Sequence, residues 1–126
     1  MYKRQLLSGP VEEFQKSATA EHNAMLNMLV EEGYLDKAAL DDEAANENEI
    51  VDALYRGLKG SPCKLMAASI VDAVGEKRTQ NQPGTSSEYS NWRVPLAGPD
   101  LKAVHTDEVF DLPRVQSLAA IMNGEK

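Results

Sequence analysis

Hydrophobic and polar positions alternate along this chain in three different rhythms, and each rhythm predicts a different element. From Val11 to Glu32, Phe14, Ala18, Met25, Leu26 and Leu29 fall on one stripe at helical spacing, while Glu12, Glu13, Glu21 and Glu31 lie mostly off it. Gly33 supplies the stop, so a helix is predicted over about 11–32. His22 shares the stripe with Ala18 and Met25, which makes it a packed or boundary residue rather than a ligand. Residues 36–49 form an acidic connector, partly helical, whose charges face solvent. Ile50, Val51, Leu54 and Leu58 then repeat with the helical period, and Gly57, Gly60 and Pro62 close a second helix over about 47–59.

The rhythm changes at residue 65. From Leu65 to Val74 nearly every position is apolar, only Ser69 and Asp72 interrupting, and Pro62 and Gly75 bound the run. Such a run reads as a strand over about 65–74 covered on both faces, as parallel strands in α/β proteins are. A helix is the competing assignment, since Ala and Met favour it and aromatics are missing. Beyond a polar loop at 75–93, the segment VPLAGPDLKAV consists of two short apolar pieces around a Gly-Pro-Asp turn, a small hairpin or an irregular reversal. The last helix, about 112–122, has Asp111 as a candidate cap, Pro113 in its first turn, Val115, Leu118, Ala119 and Met122 on one face, and Asn123-Gly124 at its end. A lone strand buried on both faces leaves its backbone groups without partners, so either the run is a helix in a small bundle or the chain is one end of a larger sheet or barrel.

Composition narrows the function classes. With 42% hydrophobic and 26% charged residues among 126, the chain has ordinary globular usage and is long enough for one compact domain. Its formal net charge of -7 is concentrated at the front: residues 1–60 hold 12 acidic against 6 basic side chains, and residues 61–126 hold 8 against 7. An acidic balance argues against nucleic acid or an anionic membrane surface as partner and is compatible with a neutral ligand. Cys63 is the sole cysteine, which rules out an intrachain disulfide and a CxxC metal site and favours a reducing compartment. The opening MYKRQLLSGP carries no apolar signal core, and no run of about 18 apolar residues follows, so a cytoplasmic location is expected. That opening, residues 1–10, also lacks a cap or strand pattern of its own and is left unassigned, as for a reading frame that begins inside a fold.

The chemistry concentrates in RTQNQPGTSSEYSNWR, residues 78–93. A loop this polar that carries the chain's only tryptophan uses the ring to anchor itself or to meet a ligand. The stretch SIVDAVGEKRTQNQPGTSSEYSNWRVPL, with its Asn-x-Pro-Gly-Thr and Asn-Trp-Arg signatures, resembles the C-terminal region of the 4-α-glucanotransferases, also called amylomaltases or disproportionating enzymes. The likeness is strong over residues 61–96, looser over 11–60 and absent before that. It implies that residues 11–126 are the C-terminal portion of a (β/α)8 TIM barrel, an α/β fold, mostly helical here, with one buried strand and a long active-site loop at its C-terminal end. It implies transfer of α-1,4-glucan segments between maltose or maltooligosaccharides by a retaining double displacement, with reacting carboxylates about 5–5.5 Å apart that belong to earlier strands. None of their motifs occurs in this chain, so no catalytic residue, cofactor or metal is assigned, and Asp72, Glu76 and Glu88 are left without a catalytic role.

Four positions are expected to serve substrate binding. Asn81 matches the family's active-site asparagine, whose amide both donates to and accepts from sugar hydroxyls. Pro83 and Gly84 shape the turn that presents it. Trp92 either stacks on a glucose ring or pins the loop to the barrel, and the pin is preferred because a loop tryptophan beside Arg93 and Pro95 has more ways to be buried than to meet sugar. Asn91 and Glu88 are expected to tie the loop to itself. The rival to an enzyme fragment is a non-catalytic helical carbohydrate-binding or regulatory module; the motif makes an unrelated acidic interaction protein a poor third.

Overall fold

The structure, a computed structural model, describes residues 11–124; the unassigned opening segment 1–10 lies outside the described residues. Among the described residues, four α-helices account for most of the regular structure: α1 (Val11–Glu31), α2 (Glu47–Gly60), α3 (Ile70–Val74) and α4 (Pro113–Asn123), with 3-10 turns at Lys37–Asp42 and Val109–Asp111. No helix among them is long and apolar enough to cross a membrane.

Helix α2 organises the core because its apolar residues point two ways. Ile50, Ala53 and Leu54 face a cluster built on Leu26, Leu29, Leu35 and Ala39, from the end of α1 and the 3-10 turn after it. Tyr55, with Val51 and Leu58, faces a second cluster that joins Ala73 of α3 to Leu118 and Ile121 of α4. Tyr55 also secures the segment before α3: its hydroxyl donates to Asp72 Oδ2 at 2.7 Å and accepts from the Ser69 amide at 3.0 Å. Burial, with the nearby Asp72 charge, pushes the Tyr55 phenol above its usual range.

Helix α1 is only half used. Its apolar stripe is buried at Leu26 and Leu29 but exposed at Val11 and Phe14, since nothing among the described residues packs on its first half. After Gly33, in left-handed conformation at φ 76°, the Tyr34 amide bonds back to Leu29 O at 2.8 Å and ends the helix. His22 lies at the surface with its Nε2 2.7 Å from Glu43 Oε2, so it belongs to the boundary rather than to the packed stripe. At α4 the capping expectation needs correcting: Leu112, not Asp111, holds the N-cap position, without a side-chain cap bond, and Pro113 opens the helix.

The principal correction concerns residues 65–74. They form no strand. Leu65 is 93% exposed, the chain from 62 to 69 is irregular, and α3 occupies the end of the run. The physical reason is the one that made a single strand difficult: among the described residues no strand flanks this segment, and the one β-bridge, between Ala97 and Ala103, lies elsewhere. Without a ladder, Ile70–Val74 satisfies its backbone by coiling, burying Val74 and packing Ala73 into the second cluster. The described part is therefore mostly helical, with no strand of a barrel in it.

Candidate functional site

The polar loop begins where α3 stops. Gly75, at φ 78°, donates its amide to Asp72 O at 3.1 Å, and the Glu76 amide reaches Val71 O at 3.0 Å, a paired closure that turns the chain sharply out of the helix. A β-carbon at Gly75 would meet Pro99 Cδ at 3.3 Å and Arg114 Nε at 3.5 Å, so the turn is crowded as well as left-handed.

Immediately beyond, Glu76 is buried although it is charged, its side chain having no exposed surface. Its carboxylate accepts from the Arg78 amide at 2.8 Å, from Arg78 Nε at 3.0 Å and Nη2 at 2.7 Å, and from the Ala97 amide at 3.1 Å. The Arg78 hydrogen bonds, outweighing the effect of burial, hold its carboxyl well below the usual range, at about 2. Arg78 Nη2 donates further to Pro95 O at 2.9 Å. One carboxylate and one guanidinium thus join residues 76–78 to residues 95–97.

Between these stems, none of residues 79–94 is buried, and polar groups do the work that a core would do elsewhere. Tyr89 donates its hydroxyl to Thr79 O. The Trp92 amide donates to Gln80 O at 2.7 Å, and the Gln82 amide donates to Asn91 Oδ1 at 2.7 Å. Asn91 Nδ2 donates in turn to Thr85 Oγ1 at 2.9 Å and Thr85 O at 3.2 Å. Glu88 accepts from the Ser86 amide at 2.8 Å. Gln82-Pro83-Gly84-Thr85 makes a turn closed by the Thr85 amide on Gln82 O at 3.2 Å, with Gly84 at φ 82°, the geometry of a type II turn with Pro and Gly in their preferred places.

The four expected substrate-binding residues all lie on this braced loop. Pro83 and Gly84 form the turn just described and are exposed. Asn81 fixes its backbone through Thr79, whose hydroxyl donates to Asn81 O at 2.8 Å, while its side-chain amide has no hydrogen-bond partner among the described residues. Trp92 is 76% exposed, so it does not anchor the loop to anything among the described residues. Its backbone is held at φ 59°, a left-handed conformation unusual for a bulky residue, by the bonds of Gln80 and Asn91 around it. The loop is ordered by other groups and presents the indole outward.

What the residue pattern did not reveal is the clamp between Glu76 and Arg78. The spacing of two residues is a weak local signal, and the partners that give it meaning, Pro95 and Ala97, are brought close by the reversal at 96–104. There Gly98 N bonds Lys102 O at 3.0 Å and Val104 N bonds Leu96 O at 2.9 Å.

Comparison with known proteins identifies the family. The family model described as 4-alpha-glucanotransferase matches residues 8–101. Curated 4-alpha-glucanotransferases of Mycobacterium bovis and Mycobacterium tuberculosis are each 45% identical over 114 residues, covering 90% of this chain. The chain spans 15% of the length of those relatives. No solved structure matches it at a significant level. With the Asn-x-Pro-Gly turn and the Asn-Trp-Arg segment inside the matched residues, the chain belongs to the 4-alpha-glucanotransferase family.

Proposed function

We propose that this chain is the C-terminal, loop-bearing part of a 4-α-glucanotransferase barrel located in the cytoplasm, and that its loop contacts the glucan. In this reading the complete enzyme moves α-1,4-glucan segments between maltose or maltooligosaccharides by a retaining double displacement. The reacting carboxylates come from outside this chain, in which none of the family's catalytic motifs occurs, and Glu76, the carboxylate at the loop base, is already occupied by four donors.

The observation that carries the reading is the division of labour in the loop. Asn91, Thr85, Glu88 and Tyr89 spend their polar groups on bracing, whereas the Asn81 amide and the Trp92 ring are left for something else. An amide that both donates and accepts, on the same loop as an exposed aromatic ring, suits a neutral polyol. Asn81 would bond a glucosyl hydroxyl, and Trp92 would cover a sugar ring.

The test is kinetic, on the full-length enzyme that carries this segment, with release of glucose from maltotriose as the assay. Asn81→Ala removes one or two neutral hydrogen bonds at about 0.5–1.5 kcal/mol each, so kcat/KM should fall roughly tenfold at about 1.36 kcal/mol per decade. Unchanged kinetics with a lowered melting temperature would make Asn81 a structural residue and remove the reading's support. The non-catalytic module remains the second reading, and transfer activity in the enzyme containing this segment excludes it.

A further inference from the structure

We propose that the buried Glu76 carboxylate, bridging Arg78 to the Ala97 amide, is the positioning device that holds the two stems of the 79–94 loop together and so fixes where Asn81 and Trp92 stand. The inference concerns the same site and rests on the glucan reading for its functional consequence, though its geometry stands alone.

Three observations lead to it. First, the loop has no core: no residue from 79 to 94 is buried, so its shape depends on polar bonds. Second, no backbone-to-backbone hydrogen bond joins 76–78 to 95–97 among the described residues, and Pro95, lacking an N–H, contributes only an acceptor. Side chains must therefore close the stems. Third, the only fully buried charge in that region supplies the closure: Glu76 takes the Ala97 amide from the far stem at 3.1 Å, and Arg78 gives Nη2 to Pro95 O at 2.9 Å.

The arrangement is graded from base to tip. The clamp lies at the base, next to the Gly75 turn that fastens the near stem to α3. Above it come the bonds of Tyr89 to Thr79, of Trp92 to Gln80, and of Asn91 to Gln82. Opening the base leaves those upper bonds to hold the two stems together, and each is then a single neutral bond facing water. An apolar pair of equal volume would fill the space but could not accept from the two backbone amides, so a buried ion pair here specifies geometry rather than merely adding stability.

Glu76→Gln keeps the shape and removes the charge; Arg78→Lys keeps the charge and removes the fork. Both are examined in the 126-residue chain by amide hydrogen exchange. Protection at the Trp92, Gln82 and Ala97 amides should fall about tenfold or more, the equivalent of one charge-assisted bond, while the core amides of Leu29 and Ala53 keep theirs. Arg78→Lys leaves Glu76 a cation beside it and keeps the question answerable if Glu76→Gln does not fold. An equal fall in core and loop, or no fall in the loop, overturns the proposal.

A second arm titrates maltoheptaose and follows the fluorescence of Trp92, the sole tryptophan. The wild-type chain should respond at millimolar sugar, and both variants should bind about tenfold more weakly. Wild-type silence counts against the glucan reading while the exchange data still decide the clamp. A wild-type response that both variants reproduce with unchanged affinity overturns the clamp and leaves the glucan reading standing.

Discussion

Removing the indole of Trp92 is the perturbation that separates an anchoring ring from a presented one. A well-buried large aromatic costs about 3–5 kcal/mol when cut to Ala. Here Trp92 is 76% exposed, so only about a quarter of its surface is covered. Of the ~150–250 Å² that an aromatic side chain buries when enclosed, roughly 40–60 Å² is then at stake, or about 1–1.5 kcal/mol at ~25 cal/mol per Å². Trp92→Ala should therefore destabilise the chain by about 1 kcal/mol. Trp92→Gly provides the internal control, because the backbone at φ 59° strains any residue with a β-carbon. Gly recovers about 1–2 kcal/mol of that strain and gives back about 0.5–1 kcal/mol through its looser unfolded chain, so it should match Ala or exceed it in stability. Urea unfolding followed by far-ultraviolet circular dichroism is the suitable assay, since either variant abolishes tryptophan fluorescence. A loss beyond about 3 kcal/mol for Trp92→Ala, or Gly clearly less stable than Ala, would refute the argument and make the indole an anchor within this chain.

Two further outcomes follow from the base of the loop. Gly75→Ala should cost about 1–2 kcal/mol, because the left-handed backbone and the contact with Pro99 Cδ both oppose a β-carbon, and a thermal melt will show it. Glu76 has a carboxyl held at about 2 in the fold against an ordinary 4.5, so its contribution to stability is present in full above pH 4.5 and is lost as pH falls towards 2. The difference in urea midpoint between wild type and Glu76→Gln should accordingly be constant from pH 7 to 5 and shrink below that; a gap that persists unchanged at the acid end would show that the charge is not what matters.

Much of this chain is legible from local rules, and the rest is not, for reasons that attach to particular residues. The helical segments can be read because the period of Leu26 and Leu29, or of Ile50, Leu54 and Leu58, is set within a few turns of chain. Gly33, Gly75, Gly84 and Gly124 mark their turns because each takes a left-handed backbone at little steric cost. The Asn-x-Pro-Gly-Thr and Asn-Trp-Arg motifs, being contiguous, carry the family by themselves. The run from Leu65 to Val74 illustrates the opposite case. Its composition suits a buried strand, but a strand exists only with neighbours to bond, and none is present among the described residues; the backbone coils into α3 at one end and leaves Leu65 in solvent at the other. Trp92 follows the same logic, since its residue type favours burial while only the surrounding packing determines whether a surface is there to receive it. Glu76 depends on tertiary structure most of all. Two residues of spacing to Arg78 say little, and the carboxylate becomes a clamp only because the reversal at 96–104 returns the Ala97 amide to it from 21 positions away.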